Sequence, residues 1–273
     1  MRLARVRAEG AEHLVAAGTD GYRRLEGNGD LTTLLRAGVD PRQLPLGEPV
    51  DGDLAAPLRP GKIVAIGLNY LDHIRESKLE RPERPLVFAK FPSSVIGPTD
   101  AIEIDASLTT RVDWEVELAV IVGRPMRRVA ERDALEHVFG YTVGNDVSAR
   151  DVQFSESQWV RGKSFDTFCP LGPVAVTADE IPDPQALRLR TRVNAEVMQD
   201  SSTAEMVFGV AELLAFCSHN FTLDPGDVVL TGTPWGCGEF MDPPRSLAAG
   251  DVVETEIEGI GTLRNPVAAL ESF

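Results

Sequence analysis

From Gly61 onward the apolar residues come in short, β-branched runs broken by frequent turn residues, which is the signature of strands rather than of long amphipathic helices. Lys62 to Gly67, Pro85 to Phe88, Ile102 to Ile104, Trp114 to Val122 and Tyr141 to Val143 all suit strands. So do Gly172 to Thr177, Leu187 to Val193, Asp227 to Leu230 and Val252 to Ile257. Helical patterning is rarer and best at Glu131 to Val138 and Ala204 to Ser218, the second with Ser202 or Thr203 as its N-cap. Many strands with few helical crossovers argue against a doubly wound parallel sheet. They predict an α+β, mainly β fold, a sandwich or rolled sheet with peripheral helices. The first segment reads differently: strand-like at Leu3 to Arg7, Gly-rich, with a short helix at Leu31 to Ala37. Gly47 to Pro60, punctuated by Pro49, Gly52, Pro57 and Pro60, reads as a linker. The pattern therefore predicts a small N-terminal domain, 1–59, followed by a larger domain, 60–273.

One strand carries an unusual charge pattern. In Asp113-Trp114-Glu115-Val116-Glu117, followed by the apolar Leu118 to Val122, alternation places Val116, Leu118, Val120 and Val122 on one face. Glu115 and Glu117 share the other. Two carboxylates held side by side next to an apolar core repel unless a cation lies between them. A second strand-like segment, Tyr141 to Asp146, ends in a third carboxylate. Three acidic oxygens suit a hard divalent ion such as Mg2+ or Mn2+. The competing reading is a solvated acidic face on an edge strand, extended by Asp113, with Asp146 capping a helix.

A further cluster follows the strand Lys62 to Gly67. If Leu71 to Lys78 turns as a helix, His73 and Glu76 lie at i and i+3 on one face and can touch. Such a pair can hold a water and take its proton near neutral pH; the alternative is an incidental ion pair on a solvated face. The charged, Pro-broken stretch Glu80 to Pro85 reads as a surface loop of the kind that forms lids.

Charge narrows the partners. With 27 basic and 42 acidic residues the net charge is −15, which disfavours nucleic acid and anionic membrane surfaces as partners. No apolar run approaches a bilayer-spanning length and the N-terminus shows no signal-peptide core, so cytoplasmic residence is the expectation. Cys169, Cys217 and Cys237 are odd in number and widely spaced, which fits neither a disulfide framework nor a zinc knuckle.

Together these residues resemble the fumarylacetoacetate hydrolase family. The likeness runs through Lys62 to Gly67 with Asn69-Tyr70, Asp72-His73 and Glu76, then Phe88-Ala89-Lys90 and Ile96-Gly97-Pro98. It continues in Trp114 to Leu118, Gly140-Tyr141, Asn145 to Asp151, Gly162 to Asp166 and Pro170 to Pro173. Pro225-Gly226-Asp227 and Thr231 to Gly236 complete it, so the resemblance covers almost everything from Lys62 to Asn265. It implies a rolled mixed β-sandwich and a homodimer. It also implies that Glu115, Glu117 and Asp146 bind Mg2+ or Mn2+ and that His73 and Glu76 activate water on a lid. Lys163 would lie beside the reacting enolate or carboxylate, with Arg150, Gln153 and Thr233 lining the substrate pocket and Lys90 nearby. Two positions depart from the family pattern: Leu68 stands where arginine is frequent, and Cys237 where valine or isoleucine is common.

The leading expectation is hydrolysis of a C–C bond in an acylpyruvate-like 2,4-dioxo acid. Glu76 would deprotonate water, and the metal and Lys163 would stabilise the departing pyruvate enolate. Oxaloacetate decarboxylation, and isomerisation or hydration of an unsaturated 2-oxo diacid, pass through the same enolate, and fold analogy does not choose among them. Two readings from other classes are a non-catalytic protein that binds metal and a small 2-oxo acid, and an acidic scaffold.

Overall fold

A computed structural model describes residues 1–27 and 29–270. The N-terminal segment forms β1 (Arg2–Ala8), β2 (Ala11–Gly18), β3 (Gly21–Leu25), helix α1 (Leu31–Arg36), β4 (Leu46–Pro49) and β5 (Asp53–Ala55). Next come β6 (Ile63–Gly67), α2 (Leu71–Ser77), β7 (Leu86–Lys90), β8 (Val95–Ile96), β9 (Ile102–Ile104), β10 (Val112–Asp113) and β11 (Val116–Val122). The middle holds α3 (Glu131–Ala134), β12 (Val138–Asn145), β13 (Ser148–Ala149), α4 (Arg150–Ser155), α5 (Val160–Lys163) and β14 (Cys169–Thr177). The chain continues with β15 (Arg188–Val193), β16 (Glu196–Ser202), α6 (Val210–Asn220), β17 (Val228–Leu230), β18 (Val252–Ile257) and β19 (Gly261–Ala269).

The main sheet runs β4-β3-β2-β1-β14-β12-β11-β17-β6-β7, with β5 added beside β1 and β8 beside β14. A second sheet, β16-β15-β18-β19-β9, packs against it, and β10 and β13 form a two-stranded ribbon. Most pairings are antiparallel, but β17–β6, β14–β8 and β19–β9 are parallel, so the sheets are mixed. This is the mainly β, rolled architecture expected.

The strand β11 explains why its sequence is apolar on both sides of the pleat. Val116, Leu118, Val120 and Val122 enter the core shared with Leu189 and Ile257 of the second sheet and Leu213 and Leu214 of α6. Ala119 and Ile121 face a second core, with Leu3, Leu31 and Leu230. Each of the valine, leucine and isoleucine side chains, fully buried, contributes about 1.5–3 kcal/mol. The outlay for placing Glu117 among them must be recovered elsewhere.

The segment up to Arg59 is tied to the rest through both backbone and core. Strand β1 pairs with β14 (Leu3 opposite Ala175), and Leu3, Leu14, Leu25 and Leu31 share a core with Ile63, Ala119 and Ile121. The stretch read as a linker contains most of β4 and all of β5. A unit border near Arg59 remains our proposal.

Three elements differ from the sequence pattern. The helix expected from Ala204 begins at Val210; Ser202 caps only a short 3-10 turn, Thr203–Glu205. The break comes from Asn69, whose backbone and side chain take up the amides of Val207 and Phe208 before they can enter a helix. The helix over Glu131 to Val138 tightens after Ala134 into a 3-10 turn, because Val138 already starts β12. The strand from Trp114 is broken at Trp114-Glu115, where Trp114 turns its indole N–H to the carbonyl of Gly236 at 3.0 Å.

Candidate active site

The end of β11 and the end of β12 lie side by side, Val116 opposite Asn145. That register puts Glu115, Glu117 and Asp146 together, with a carboxylate oxygen from each within 4.8 Å of the other two. All three are buried. Local anchors hold this corner. Asn145 Oδ1 accepts the Glu115 N–H at 3.0 Å, and the Asp146 N–H donates to the Glu115 carbonyl at 2.9 Å.

Cations surround two of the three carboxylates. Lys163 Nζ donates to Glu115 Oε2 at 2.6 Å and to Asp146 Oδ2 at 2.9 Å. Lys90 Nζ, fully buried, donates to Asp146 Oδ1 and, at 3.2 Å, to the Val147 carbonyl. The Arg150 guanidinium reaches Asp113 at 2.8 Å and Glu115 Oε1 at 2.6 Å. Among the described residues, Glu117 has no cationic side chain at ion-pair distance; its Oε2 accepts only the Gly232 N–H, at 2.7 Å.

The electrostatics follow from this asymmetry. Burial alone would raise Glu115, but Lys163 and Arg150 outweigh it and hold the carboxyl down at about 2. For Glu117 burial pushes the carboxyl well above the usual range, and the charges of Asp146 and Glu115 push the same way. Burial would lower Lys163, but Asp146 and Glu115 reverse this and raise it. One buried carboxyl is thus left uncompensated, aimed at the two others. Three hard oxygen donors around a common point, one of them lacking a positive partner, fit Mg2+ or Mn2+.

His73 lines a small cavity of about 70 Å³ together with Glu115, Glu117, Arg150, Lys163 and Thr233, with Glu76 behind it. His73 Nδ1 lies 3.2 Å from Glu76 Oε2, the contact expected from the i, i+3 spacing on α2. The helix is short because Lys78 adopts a left-handed conformation, φ 57°, and closes it. Glu76 Oε1 accepts the Gly236 N–H at 2.9 Å, and Asp72 bonds Ser201 and the His73 N–H, so α2 is clamped to the loop Thr231 to Gly236. Gly232 must be glycine there: φ is +92° and a Cβ would meet that of Asn69 at 2.8 Å. The cavity's apolar wall comes from Leu68, Leu79, Phe88, Phe154, Trp159 and Phe240.

Of the residues expected at the substrate pocket, Arg150, Gln153 and Thr233 line the cavity and Lys90 does not. Lys90 is absent from the cavity lining and instead orients Asp146. Arg150 and Gln153 reach the cavity, but the guanidinium is already committed to Asp113, Glu115 and, at 3.0 Å, Gln153 Oε1. Thr233 lines the cavity and donates to the Val116 carbonyl at 3.0 Å.

Several supports escaped the sequence reading. Asp113 is 1% exposed and accepts from Trp114, Gly238 and Glu239 amides as well as from Arg150. Gln199 bridges the Val116 N–H and the Thr233 hydroxyl. Phe240 packs edge-on against His73, ring centroids 5.3 Å apart. The adjacency of Asp113 to the acidic pair was the one available signal; Gln199 and Phe240 come from distant segments and gave none.

Three clustered carboxylates facing His73 across a small, partly enclosed cavity with apolar walls suit a small-molecule enzyme site. The chain matches the family model described as fumarylacetoacetate (FAA) hydrolase C-terminal over residues 62–268, and it belongs to the fumarylacetoacetate hydrolase family. It is 51% identical over 217 residues to the Xenopus laevis protein named oxaloacetate tautomerase fahd2, mitochondrial, covering 78% of this chain and 68% of that one. It is 48% identical over 216 residues to the Homo sapiens oxaloacetate tautomerase FAHD2A, mitochondrial, with the same 78% and 68% coverage. Among solved structures, the fumarylacetoacetate hydrolase from Exiguobacterium antarcticum superposes with a TM-score of 0.89 at 40% identity, over 99% of this chain and 100% of that one. The 5-carboxymethyl-2-hydroxymuconate delta-isomerase from Mycobacterium smegmatis gives 0.83 at 38% identity, over 99% and 100%. The similar proteins are thus named as tautomerases, an isomerase and a hydrolase, so the family and its enzymatic character stand, whereas no one reaction is singled out by them. No helix among the described residues is long and apolar enough to cross a membrane.

Proposed function

We propose that the protein is a metal-dependent tautomerase of small 2-oxo diacids, interconverting the enol and keto forms of oxaloacetate. The observation that carries this reading is that His73, beside Glu76, lines the same small cavity as Lys163, Glu115 and Glu117. The names of the relatives favour oxaloacetate over an acylpyruvate, and so move the leading reading from hydrolysis to tautomerisation.

In the enol-to-keto direction a proton leaves the 2-hydroxyl and another is added at C3. Glu76, oriented by His73 and by the Gly236 N–H, is the group we assign to carry the proton at C3. Lys163 spends two of its three donors on Glu115 and Asp146 and has one left for the substrate's 2-oxygen. Residues Glu115, Glu117 and Asp146 would hold the divalent ion, which when bound supplies positive charge against the enolate. Stabilisation of that charge is worth most in the transition state, where it is greatest. Leu68, Phe88, Phe154 and Trp159 exclude water, which strengthens every one of these interactions.

Hydrolysis of a 2,4-dioxo acid remains a second reading, because the His73–Glu76 contact also suits water activation. Glu76→Gln separates the possibilities. Enol disappearance followed by ultraviolet absorbance should slow by about 10²–10⁴-fold, and acylpyruvate cleavage should be tested beside it. Oxaloacetate decarboxylation, which needs no proton acceptor at that position, should persist in the variant. Wild-type-like tautomerisation by the glutamine variant would remove Glu76 from the mechanism. The remaining assignments, a cytoplasmic location and a homodimer, belong to the same proposal and are checked by fractionation and light scattering.

A further inference from the structure

Cys237 belongs to a second cluster of metal-ligating side chains, apart from the three carboxylates. One ligand atom each of His73, Glu76 and Cys237 lies within 4.8 Å of the other two. All three are kept from bulk water: Cys237 is fully buried, His73 is 6% exposed, and Glu76 is partly buried. The thiol has no strong partner, its nearest polar neighbours being Gln199 Nε2 and the Pro234 carbonyl, both at 3.9 Å. Nothing in the proposed chemistry calls on it.

We propose that His73, Glu76 and Cys237 form an inhibitory site for a soft or borderline divalent ion such as Zn2+ or Cd2+, which removes the acid–base pair from use. Sulfur, imidazole and one carboxylate are the donors that such ions select, whereas the all-oxygen trio across the cavity selects hard ions. A tetrahedral ion with bonds of about 2.0–2.3 Å needs its ligand atoms roughly 3.3–3.8 Å apart, so shifts on the order of 1 Å complete the site. Those shifts are small for Glu76, whose carboxylate stands at the end of a flexible chain. The fourth position would be left to water. Entry is through the cavity that His73 lines. Occupancy pulls Glu76 and His73 onto the ion, so neither can exchange a proton with substrate, and the protein becomes sensitive to ions that a valine at 237 would not bind.

The test uses the whole protein with excess Mg2+, which occupies the hard site, and adds Cd2+ while recording ultraviolet difference spectra and turnover of oxaloacetate. The wild type should develop a thiolate-to-cadmium charge-transfer band that saturates at one cadmium per chain, with turnover falling in parallel. In Cys237→Val the band should vanish and cadmium inhibition should weaken by at least about 10-fold, the scale on which even outer-shell partners of a metal act. Glu117→Gln should keep the band. Equal bands in Cys237→Val and wild type, pointing to Cys169 or Cys217, would overturn the proposal. Should Cys237→Val fold poorly, anomalous diffraction from cadmium-soaked wild-type crystals decides: a peak among His73, Glu76 and Cys237 supports the site, and a peak only among Glu115, Glu117 and Asp146 overturns it. The inhibition arm rests on the tautomerase reading. The spectroscopic and diffraction arms do not, so absent turnover in the Mg2+-loaded wild type sinks that reading and leaves this one standing.

Discussion

Arg150 shows what single residues contribute here. Its guanidinium joins Asp113 to Glu115 inside the protein, with both carboxylates nearly inaccessible to water. Burying such a cluster costs solvation, and only mutual pairing recovers it. Replacing Arg150 with methionine removes the positive member and leaves two buried carboxylates facing each other. We expect a loss of about 3–5 kcal/mol of unfolding free energy in urea titrations. A loss below about 1 kcal/mol would mean that water or another cation reaches the pair. Arg150→Lys should recover little, because an ammonium cannot span two carboxylates in the manner of a planar fork. At this scale the sequence was partly legible. Strand alternation put Glu115 and Glu117 on one face, Asp146 ended a second strand-like segment, and the structure brings the three together. That Arg150 and Lys90 hold carboxylates was not legible, since a lone basic residue carries no mark of its partner.

At the scale of elements, the turn between β6 and α2 decides where the acid–base pair stands. Asn69, fully buried, accepts the Phe208 N–H at 3.0 Å and donates to the carbonyls of Phe208 and Thr231 at 3.1 and 2.8 Å. One amide thereby sets the start of α2, delays the start of α6 and fixes the loop that carries Gly232. Asn69→Ala strands three buried backbone groups at about 1–3 kcal/mol for each one left unsatisfied. We expect amide hydrogen exchange across residues 71–77 to accelerate and kcat to fall more than KM, because His73 and Glu76 lose their position while the cavity wall persists. An unchanged exchange rate would show that Asp72 and Glu76 hold the helix without Asn69. Helical periodicity, which puts i and i+3 on one face, anticipated the contact of His73 with Glu76. The same periodicity overextended the 204–218 helix, because the pull on Val207 and Phe208 comes from 139 residues away.

For the whole molecule, two mixed sheets trap the acidic corner where water cannot screen it. The folded state must therefore gain from any ion that fits, whereas the unfolded chain, with its carboxylates dispersed, gains little. Saturating Mn2+ at 100 times its dissociation constant should stabilise the protein by about 2.7 kcal/mol, seen as a rise in melting temperature that EDTA reverses. The Glu117→Gln variant should show a much smaller rise. An acidic scaffold, or a site already satisfied by its lysines, would melt at the same temperature with and without the ion.

What the sequence by itself determined is local in origin. Alternation along β11 dictates which side chains share a face, and short β-branched runs dictate a strand-rich class, because both arise from the geometry of a few successive residues. What only the tertiary structure decided is which charges meet. Lys163 finds Asp146 across 17 residues and Asp113 finds Gly238 across 125, and such pairings depend on sheet order and register rather than on any local period. The lone uncompensated Glu117 is visible only once those partners have been assigned. Chain alternation placed an acid on that face, and the fold left it, among the described residues, with no amine at ion-pair distance.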